Sequence, residues 1–416
     1  MPEIPEKQPA QSPRQDTRRK KSPTSTLFLL LGILLVAVAV VFAVRSLTGR
    51  SDGAAPVQSG DGSVTITAVG DIHMDSSLLR DAQAGGDYDF APAFFGVASL
   101  LADADVTVGN LECTFAGPEQ TDLDSWAPDN LADTLSGLGF DLLQTANSCS
   151  IAGGLDGLQR TMETVTAAKM QYAGTSSDKK SYKKDYGIAE FESDGMRIVF
   201  VAFTKGLGNL RLPDGAEYAV NLLYEDYDTN YTQVATAQIE SVMAAARKRS
   251  PDVLIALVHW GAEDDSQHSQ TQERIADLLV ANGADVILGS HSHQPGPIET
   301  RTATDENGDE HTALVAYDLG DFYTASDKSA RQGIVLQLEF TKDKRGSVQL
   351  TKQDYTSLYR TTDAAGDPQY QVWDAALAKK LYEQGYVGRI SEADYAQLEQ
   401  TVAAIQASVE PKEEKE

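Results

Sequence analysis

Four apolar, strand-like runs in this chain each end in residue types that bind metal ions, and that pattern restricts the fold more than any other feature. Asp285-Val286-Ile287-Leu288 passes into Gly289-Ser290-His291-Ser292-His293, which holds two of the chain's six histidines. Upstream, Ile66-Thr67-Ala68-Val69 runs into Gly70-Asp71-Ile72-His73, Val106-Thr107-Val108 into Gly109-Asn110-Leu111-Glu112, and Leu254-Ile255-Ala256-Leu257-Val258 into His259-Trp260-Gly261. Two imidazoles one residue apart in a glycine-started loop present nitrogen ligands to a transition metal. In open α/β sheets ligands gather beyond the C-terminal ends of the strands. Four such ends in one chain therefore predict a common metal centre.

The rhythm around these runs is that of an α/β protein. Strands are predicted at Val64–Val69, Val106–Val108, Phe140–Leu143, Ile198–Phe203, Val253–Val258 and Val286–Leu288. Between them Pro92–Leu101, Asp129–Leu138, Gly154–Lys169, Tyr231–Lys248 and Gln270–Asn282 have helical spacing, and Gly283 supplies a stop for the last. Past residue 295 strand follows strand, at Pro297–Thr302, Thr312–Tyr317, Gly333–Phe340 and Ser347–Gln353. Alternation followed by a strand-rich half predicts two packed sheets flanked by helices, an α/β sandwich occupying about residues 63–360. Residues 361–416 read as a helical extension, with helices at Asp374–Gln384 and Glu392–Ser408, and a charged tail.

The N-terminal end reads differently. Leu27 to Val44 holds 18 residues without a charge, which as a helix spans about 27 Å, close to a bilayer core of roughly 30 Å. Arg18, Arg19, Lys20 and Lys21 precede it, so the positive-inside rule keeps the N-terminus cytosolic and sends the rest outside. The competing reading is a cleaved signal peptide; the long leading segment and the length of the apolar run favour an uncleaved anchor. The predicted layout is a disordered cytoplasmic tail (1–25), a transmembrane anchor (26–45), a Ser/Gly/Asp-rich tether (46–62) and then an extracellular domain.

Charge narrows the partners. The net charge is -26 over 416 residues. Six basic residues against three acidic ones give residues 1–25 a net charge of +3, so the remainder carries -29. Such a body repels nucleic acid, and no nucleic-acid partner is expected. Only Cys113 and Cys149 occur. They are either two separate buried thiols or a disulfide joining neighbouring loops, since spacing alone does not give their separation.

The candidate ligands are Asp71 and His73 after the first strand, Glu112 or Asn110 after the second, Asn147 after the third, His259, and finally His291 with His293. Such mixed nitrogen and oxygen donors fit a pair of Zn, Mn or Fe ions better than Ca or Mg, which favour oxygen, or a structural zinc, which favours cysteine. Trp260 reads as core, and His268 and His311, set among polar residues, as bystanders. Lys205 and Arg211, in a glycine-containing loop, are candidates for guiding an anionic chain, ahead of the cluster Lys179, Lys180, Lys183 and Lys184; Glu263 would position a substrate or stand solvated.

In order and local wording, Val69-Gly70-Asp71, Gly109-Asn110-Leu111-Glu112, Thr145-Ala146-Asn147, His259-Trp260-Gly261-Ala262-Glu263, Gly289-Ser290-His291-Ser292-His293 and Asp318-Leu319-Gly320-Asp321-Phe322 resemble the capsule-biosynthesis CapA/PgsA family. The resemblance runs from about residue 64 to 340. It implies a two-sheet αββα sandwich of the calcineurin-like metallophosphoesterase type. It also implies two divalent ions, one held by Asp71, His73 and His293, the other by Asn147, His259 and His291, with Glu112 bridging or orienting. The implied role is in making or exporting an anionic surface polymer, typically poly-γ-glutamate. The chain would act as a metal-dependent hydrolase whose turnover rests on Asp71, His259 and His291, or as a non-catalytic scaffold that holds the polymer or docks on a membrane-embedded synthase. A general cell-surface phosphodiesterase is the third reading. The chain departs from the family's Ala-Asn-Asn-His in reading Ala146-Asn147-Ser148-Cys149, and Asp321 stands where asparagine is usual.

Overall fold

The structure, a computed structural model, describes residues 62–115, 125–265, 267–325, 332–361, 369–385 and 390–410. The expected cytoplasmic tail, anchor and nearly all of the tether lie outside the described residues, as does the charged tail beyond residue 410. Among the described residues no helix is long and apolar enough to cross a membrane.

In chain order the main strands are β1 (Gly62–His73), β2 (Val106–Glu112), β3 (Leu142–Gln144) and β4 (Gln171–Ala173), then β5 (Ala189–Ser193), β6 (Met196–Thr204), β7 (Val253–His259), β8 (Val286–Ser290), β9 (Ile298–Thr304) and β10 (Glu310–Ala316). The chain then forms β11 (Asp321–Tyr323), β12 (Gly333–Lys342), β13 (Val348–Arg360) and β14 (Val372–Asp374). The first sheet runs β14-β13-β12-β1-β2-β3-β4, with β11 also beside β1; the second runs β9-β10-β8-β7-β6-β5. The centre of each sheet is parallel: β1 to β4 in one, and β6, β7, β8 and β10 in the other. Antiparallel strands close the edges.

Alternation of side chains along each strand sorts the core into layers. Ile66, Ala68, Val106, Val108 and Leu336 of the first sheet share one buried cluster with Ile198, Phe200, Ile255, Leu257 and Leu288 of the second. The opposite face of the first sheet, with Val69, Leu111, Leu143 and Val335, is covered by Leu78, Phe94, Leu101, Leu131, Leu135 and Val165. The opposite face of the second, with Val199, Val201, Leu254, Ala256, Val258 and Ile287, is covered by Ile239, Val242, Ile275 and Leu279. The result is helix, sheet, sheet, helix. Each fully buried aliphatic side chain in it contributes about 1.5–3 kcal/mol.

Three details differ from the sequence reading. The helix expected at Pro92–Leu101 is a 3-10 turn, Ala91–Phe94, followed by a short helix, Ala98–Ala102. At the break, a Cβ on Gly96 would come within 2.5 Å of the Trp373 ring, so the chain is pressed against β14 there. The helix expected from Tyr231 begins only at Thr236, because Asp226 ties Thr232 and Gln233 into a turn instead. The boundary drawn at 360 falls between two paired strands, since β14 pairs with β13. The last helix, Glu392–Val409, places Ile405 and Val409 in the inter-sheet core, making the extension part of the sandwich.

Candidate metal centre

Register places the polar strand ends at one level. Asp71 lies opposite Asn110 and His73 opposite Glu112 across β1 and β2. In the second sheet His259 lies opposite Ser290, and Thr204 opposite His259. Because the strands are parallel, their C-terminal ends open onto one rim. There the two sheets meet through polar contacts: Asn110 Nδ2 donates to Asp71 Oδ1 at 2.7 Å and lies 3.3 Å from His259 Nδ1. The His291 N–H donates to Asp71 Oδ2 at 3.2 Å.

The backbone is forced to make this possible. His291 and His293 have φ of 105° and 62°, the left-handed region that side chains other than glycine rarely occupy. The loop accepts this strain, and its two imidazoles end up among carboxylates from the first sheet. Gly289 is fixed for a different reason: a Cβ there would lie 1.8 Å from the Tyr317 carbonyl oxygen. Asp318 holds the same loop from below, accepting the Ser292 N–H at 2.8 Å and the Gly320 N–H at 2.7 Å.

Three trios of donor atoms result, each with its members within 4.8 Å of one another: Asp71, His293 and Asp321; Glu112, His259 and His291; and His73, Glu112 and Cys149. Glu112 belongs to two of them. Its Oε1 lies 3.4 Å from His259 Nε2 and its Oε2 3.9 Å from His73 Nδ1. His293 Nδ1 lies 2.8 Å from Asp321 Oδ1 and 3.5 Å from Asp71 Oδ2. Apart from the half-buried His73, all these side chains are buried.

The donor set fits divalent cations. Glu112 Oε2, His259 Nε2, His291 Nδ1 and Asp321 Oδ2 are buried and make no hydrogen bond among the described residues. Each such orphan costs about 1–3 kcal/mol unless something compensates it. Electrostatics give the same answer. Burial pushes the Asp71 carboxyl up to about 6 against the pull of His293, and burial with the Asp71 charge pushes Glu112 up to about 8. Burial holds His259 well below its usual value and brings His291 down to about 3. Burial also works against charge on His293, but the hydrogen bond and charge of Asp321, with Asp71 and Glu112, outweigh it and lift it to about 10. A buried nest in which Glu112 and His293 retain protons while His259 and His291 stay neutral is one where a cation would replace those protons.

Some expected residues sit elsewhere or do other work. Asn147 is committed to the protein: Nδ2 donates to Asn110 Oδ1 (3.0 Å) and the Leu111 carbonyl (2.7 Å), and Oδ1 accepts the Cys149 N–H (3.0 Å). It clasps the loop, and its Oδ1, with one hydrogen bond, keeps a second lone pair. Arg211 is largely exposed and paired with Asp228 at 3.1 Å. Glu263 is exposed. Lys205 is half-buried over the Tyr231 ring, donates to the Gly261 carbonyl, and is near enough for its charge to depress His259 and His291. The cysteines are unbonded thiols; Cys113 packs in the apolar layer under β2, while Cys149 points to His73 and Glu112. Asp321 and Ser148, noted in the sequence only as departures from the family pattern, take part in the site, Ser148 donating to Glu112 Oε1 at 2.5 Å. Nothing in the sequence singled out Ser290, whose hydroxyl lies 3.1 Å from His259 Nδ1. The buried carboxylate after β10 was legible only as an Asp in place of Asn.

Fold and rim together define a two-sheet α/β protein whose strand-end loops build a candidate metal centre. Within that class the assignment is specific: residues 65–326 match the family described as bacterial capsule synthesis protein PGA_cap, and the chain belongs to that family. It is 25% identical over 284 residues to the capsule biosynthesis protein CapA of Bacillus anthracis, covering 66% of this chain and 64% of that protein, so just under two thirds of that relative's length is spanned. It is 23% identical over 345 residues to the PGA biosynthesis protein CapA of Bacillus subtilis, covering 81% and 82%. Among solved structures, the NAD nucleotidase of Haemophilus influenzae aligns at 14% identity over 84% of this chain and 60% of that one, with a TM-score of 0.43.

Proposed function

We propose that the chain is a metal-dependent hydrolase of the metallophosphoesterase type, acting in capsule or poly-γ-glutamate synthesis or export from the outer face of a membrane. The convergence of buried, hydrogen-bond-free ligand atoms from both sheets on one rim supports this most strongly. Residues 26–45 would anchor it, and its partners would be the membrane, the anionic polymer and membrane-embedded synthase subunits.

The candidate ligands are Asp71, His293 and Asp321 on one side and Glu112, His259 and His291 on the other, with His73 beside Glu112. Divalent cations held there would polarise a phosphoryl or acyl oxygen and neutralise charge developing on it. The protein's own groups set the stage. Asp321 engages Nδ1 of His293, and Ser290 lies against Nδ1 of His259, so that Nε2 of His259 faces Glu112. Such partners fix ring orientation and raise ligand basicity. Lys205 is near enough for its charge to act on both imidazoles of the second trio, and burial lowers its affinity for its proton. It is placed to hold an anionic substrate group.

One observation favours a second reading, a polymer-holding scaffold without turnover. The loop after β3 carries a serine and a cysteine and no imidazole, and the two histidines outside the cluster, His268 and His311, are engaged with Glu273 and Asp285. The test is metal analysis of the purified full chain together with hydrolysis of an activated phosphodiester, with and without His291→Ala. Metal-dependent turnover that vanishes in the variant supports the hydrolase. Bound metal without turnover supports the scaffold, and absence of metal overturns both.

A further inference from the structure

Cys149 is set apart from the other cysteine by its surroundings. Cys113 packs with Leu111, Phe115 and Leu131 in an apolar cluster. Cys149, 8% exposed, belongs to none of the apolar clusters among the described residues. Its sulfur instead shares a 4.8 Å trio with donor atoms of His73 and Glu112. Ser125 hydrogen-bonds with it, and the Ser148 hydroxyl, 3.8 Å away, already donates to Glu112 Oε1. The second, independent sign of a ligand is Glu112 itself: it is 3% exposed, and its Oε2 makes no hydrogen bond among the described residues while facing His73 Nδ1 at 3.9 Å.

The loop is built to hold the sulfur there. Asn147 Oδ1 accepts the Cys149 N–H, Ser150 Oγ accepts the Asn147 N–H at 2.8 Å, and the Asn147 carboxamide is itself pinned to β2 through Leu111 and Asn110. Asn147 thereby fixes the backbone that carries the cysteine two positions later.

We propose that Cys149 is a thiolate ligand, with His73 and Glu112, to one of the cations of this centre, and that this position therefore takes a zinc-like, borderline-soft ion in preference to manganese or magnesium. The inference rests on the metal-centre reading given above. Binding exchanges the S–H bond for a sulfur–metal bond, and the proton leaves to solvent; no oxidant or reductant is involved. Thiolate donors select zinc-class ions, whereas sites of oxygen alone suit the harder ones.

Cobalt(II) titration of the metal-stripped full chain, kept reduced with a phosphine so that no other thiol is present, tests this directly. Visible d–d absorption reports that cobalt is bound, and a near-ultraviolet thiolate-to-cobalt charge-transfer band reports sulfur ligation. The expected result is both signals in the wild-type chain and in Cys113→Ser, with the charge-transfer band lost and the d–d bands retained in Cys149→Ser. A Cys149→His variant, which keeps a ligand at the position, should likewise bind cobalt without the band, and it covers the case in which the serine variant fails to fold. Bound cobalt with no band in the wild-type chain, or a band that disappears in Cys113→Ser and persists in Cys149→Ser, overturns the thiolate proposal alone. No cobalt bound at all overturns the metal-centre reading with it.

Discussion

Four histidines gather at the rim where the two sheets meet, and two lie on the flank of the second sheet; the same side chain does opposite things in the two regions. At the rim His259, His291 and His293 are buried, and the rings of His259 and His291 approach to 4.5 Å between centroids. Like-type groups that would repel if charged are packed together, which burial tolerates only if the rings stay neutral or an opposite charge intervenes. On the flank, His268 stacks on Tyr317 at 3.8 Å and lies 3.2 Å from Glu273, while His311 lies 3.1 Å from the Ala284 carbonyl and 3.3 Å from Asp285. Each flank imidazole has its own acceptor and complements it locally. Crowding of buried imidazoles from several strand ends is what sets the rim apart; on the flank each imidazole stands alone beside one carboxylate.

The largest test of that contrast is removal of a rim imidazole. His291→Ala should weaken cation binding by more than about 100-fold, above the 10–100-fold typical of losing an outer partner of a ligand. Competition with a chromophoric chelator measures it, and His268→Ala in the same assay should leave affinity within error. Equal losses from the two variants would dissolve the distinction. Asp321→Asn sharpens it further. The amide keeps an oxygen for His293 Nδ1 but removes the charge and the oxygen that makes no hydrogen bond. If Asp321 serves as a ligand as well as a partner of His293, affinity should fall by roughly 10–100-fold; a change under about twofold would reduce it to a partner alone.

How much of this could be read from the sequence follows the same division. The strands that end in Asp71, Glu112, His259 and His291 announced themselves because each is a short apolar run terminated abruptly by ligand-type residues, and the parallel register converts that shared ending into proximity. The four-layer order was legible from alternating strands and amphipathic helices. Short strands such as Gln171–Ala173 and Ala189–Ser193 were not, since three to five mixed residues carry little periodicity. Nor was the clasp made by Asn147, because an amide at a strand end serves as ligand or loop clasp, and the clasp shows only in its partners at Asn110, Leu111 and Cys149. The cysteines show the same limit. Their residue numbers place both near the rim, but whether sulfur faces apolar core or carboxylate depends on the loop's path.

Asn147→Ala tests whether the rim depends on that clasp. The substitution leaves the Leu111 carbonyl, Asn110 Oδ1 and the Cys149 N–H without their present partners, so stability should fall by about 1–3 kcal/mol for the buried groups left unsatisfied. Denaturant unfolding of the metal-stripped chain measures it. Cation affinity should fall less than in His291→Ala, because the Asn147 amide is tied to three protein partners whereas His291 Nδ1 makes no hydrogen bond among the described residues. A loss of affinity as large as that of the imidazole variant would return Asn147 to the ligand set.

The smallest effect belongs to the flank. The hydrogen bond and charge of Asp285 raise His311 above its ordinary value, with burial opposing. A folded-state value above the unfolded one, about 6.5, means that the pair stabilises in full below about pH 6.5 and that the gain is lost as pH rises through the folded value. The side chains on both sides are about a third exposed, so solvent screening limits the contribution to under about 1 kcal/mol. Titrating carboxylates at the rim change wild-type stability over the same range, so the quantity to compare is the difference between wild type and His311→Ala, both stripped of metal, at about pH 5.5 and pH 8.5. That difference should be larger at the lower pH. A difference that grows toward alkaline pH would mean that His311 packs as a neutral ring, and the rule that a solitary imidazole beside a carboxylate is structural through its charge would fail at this position.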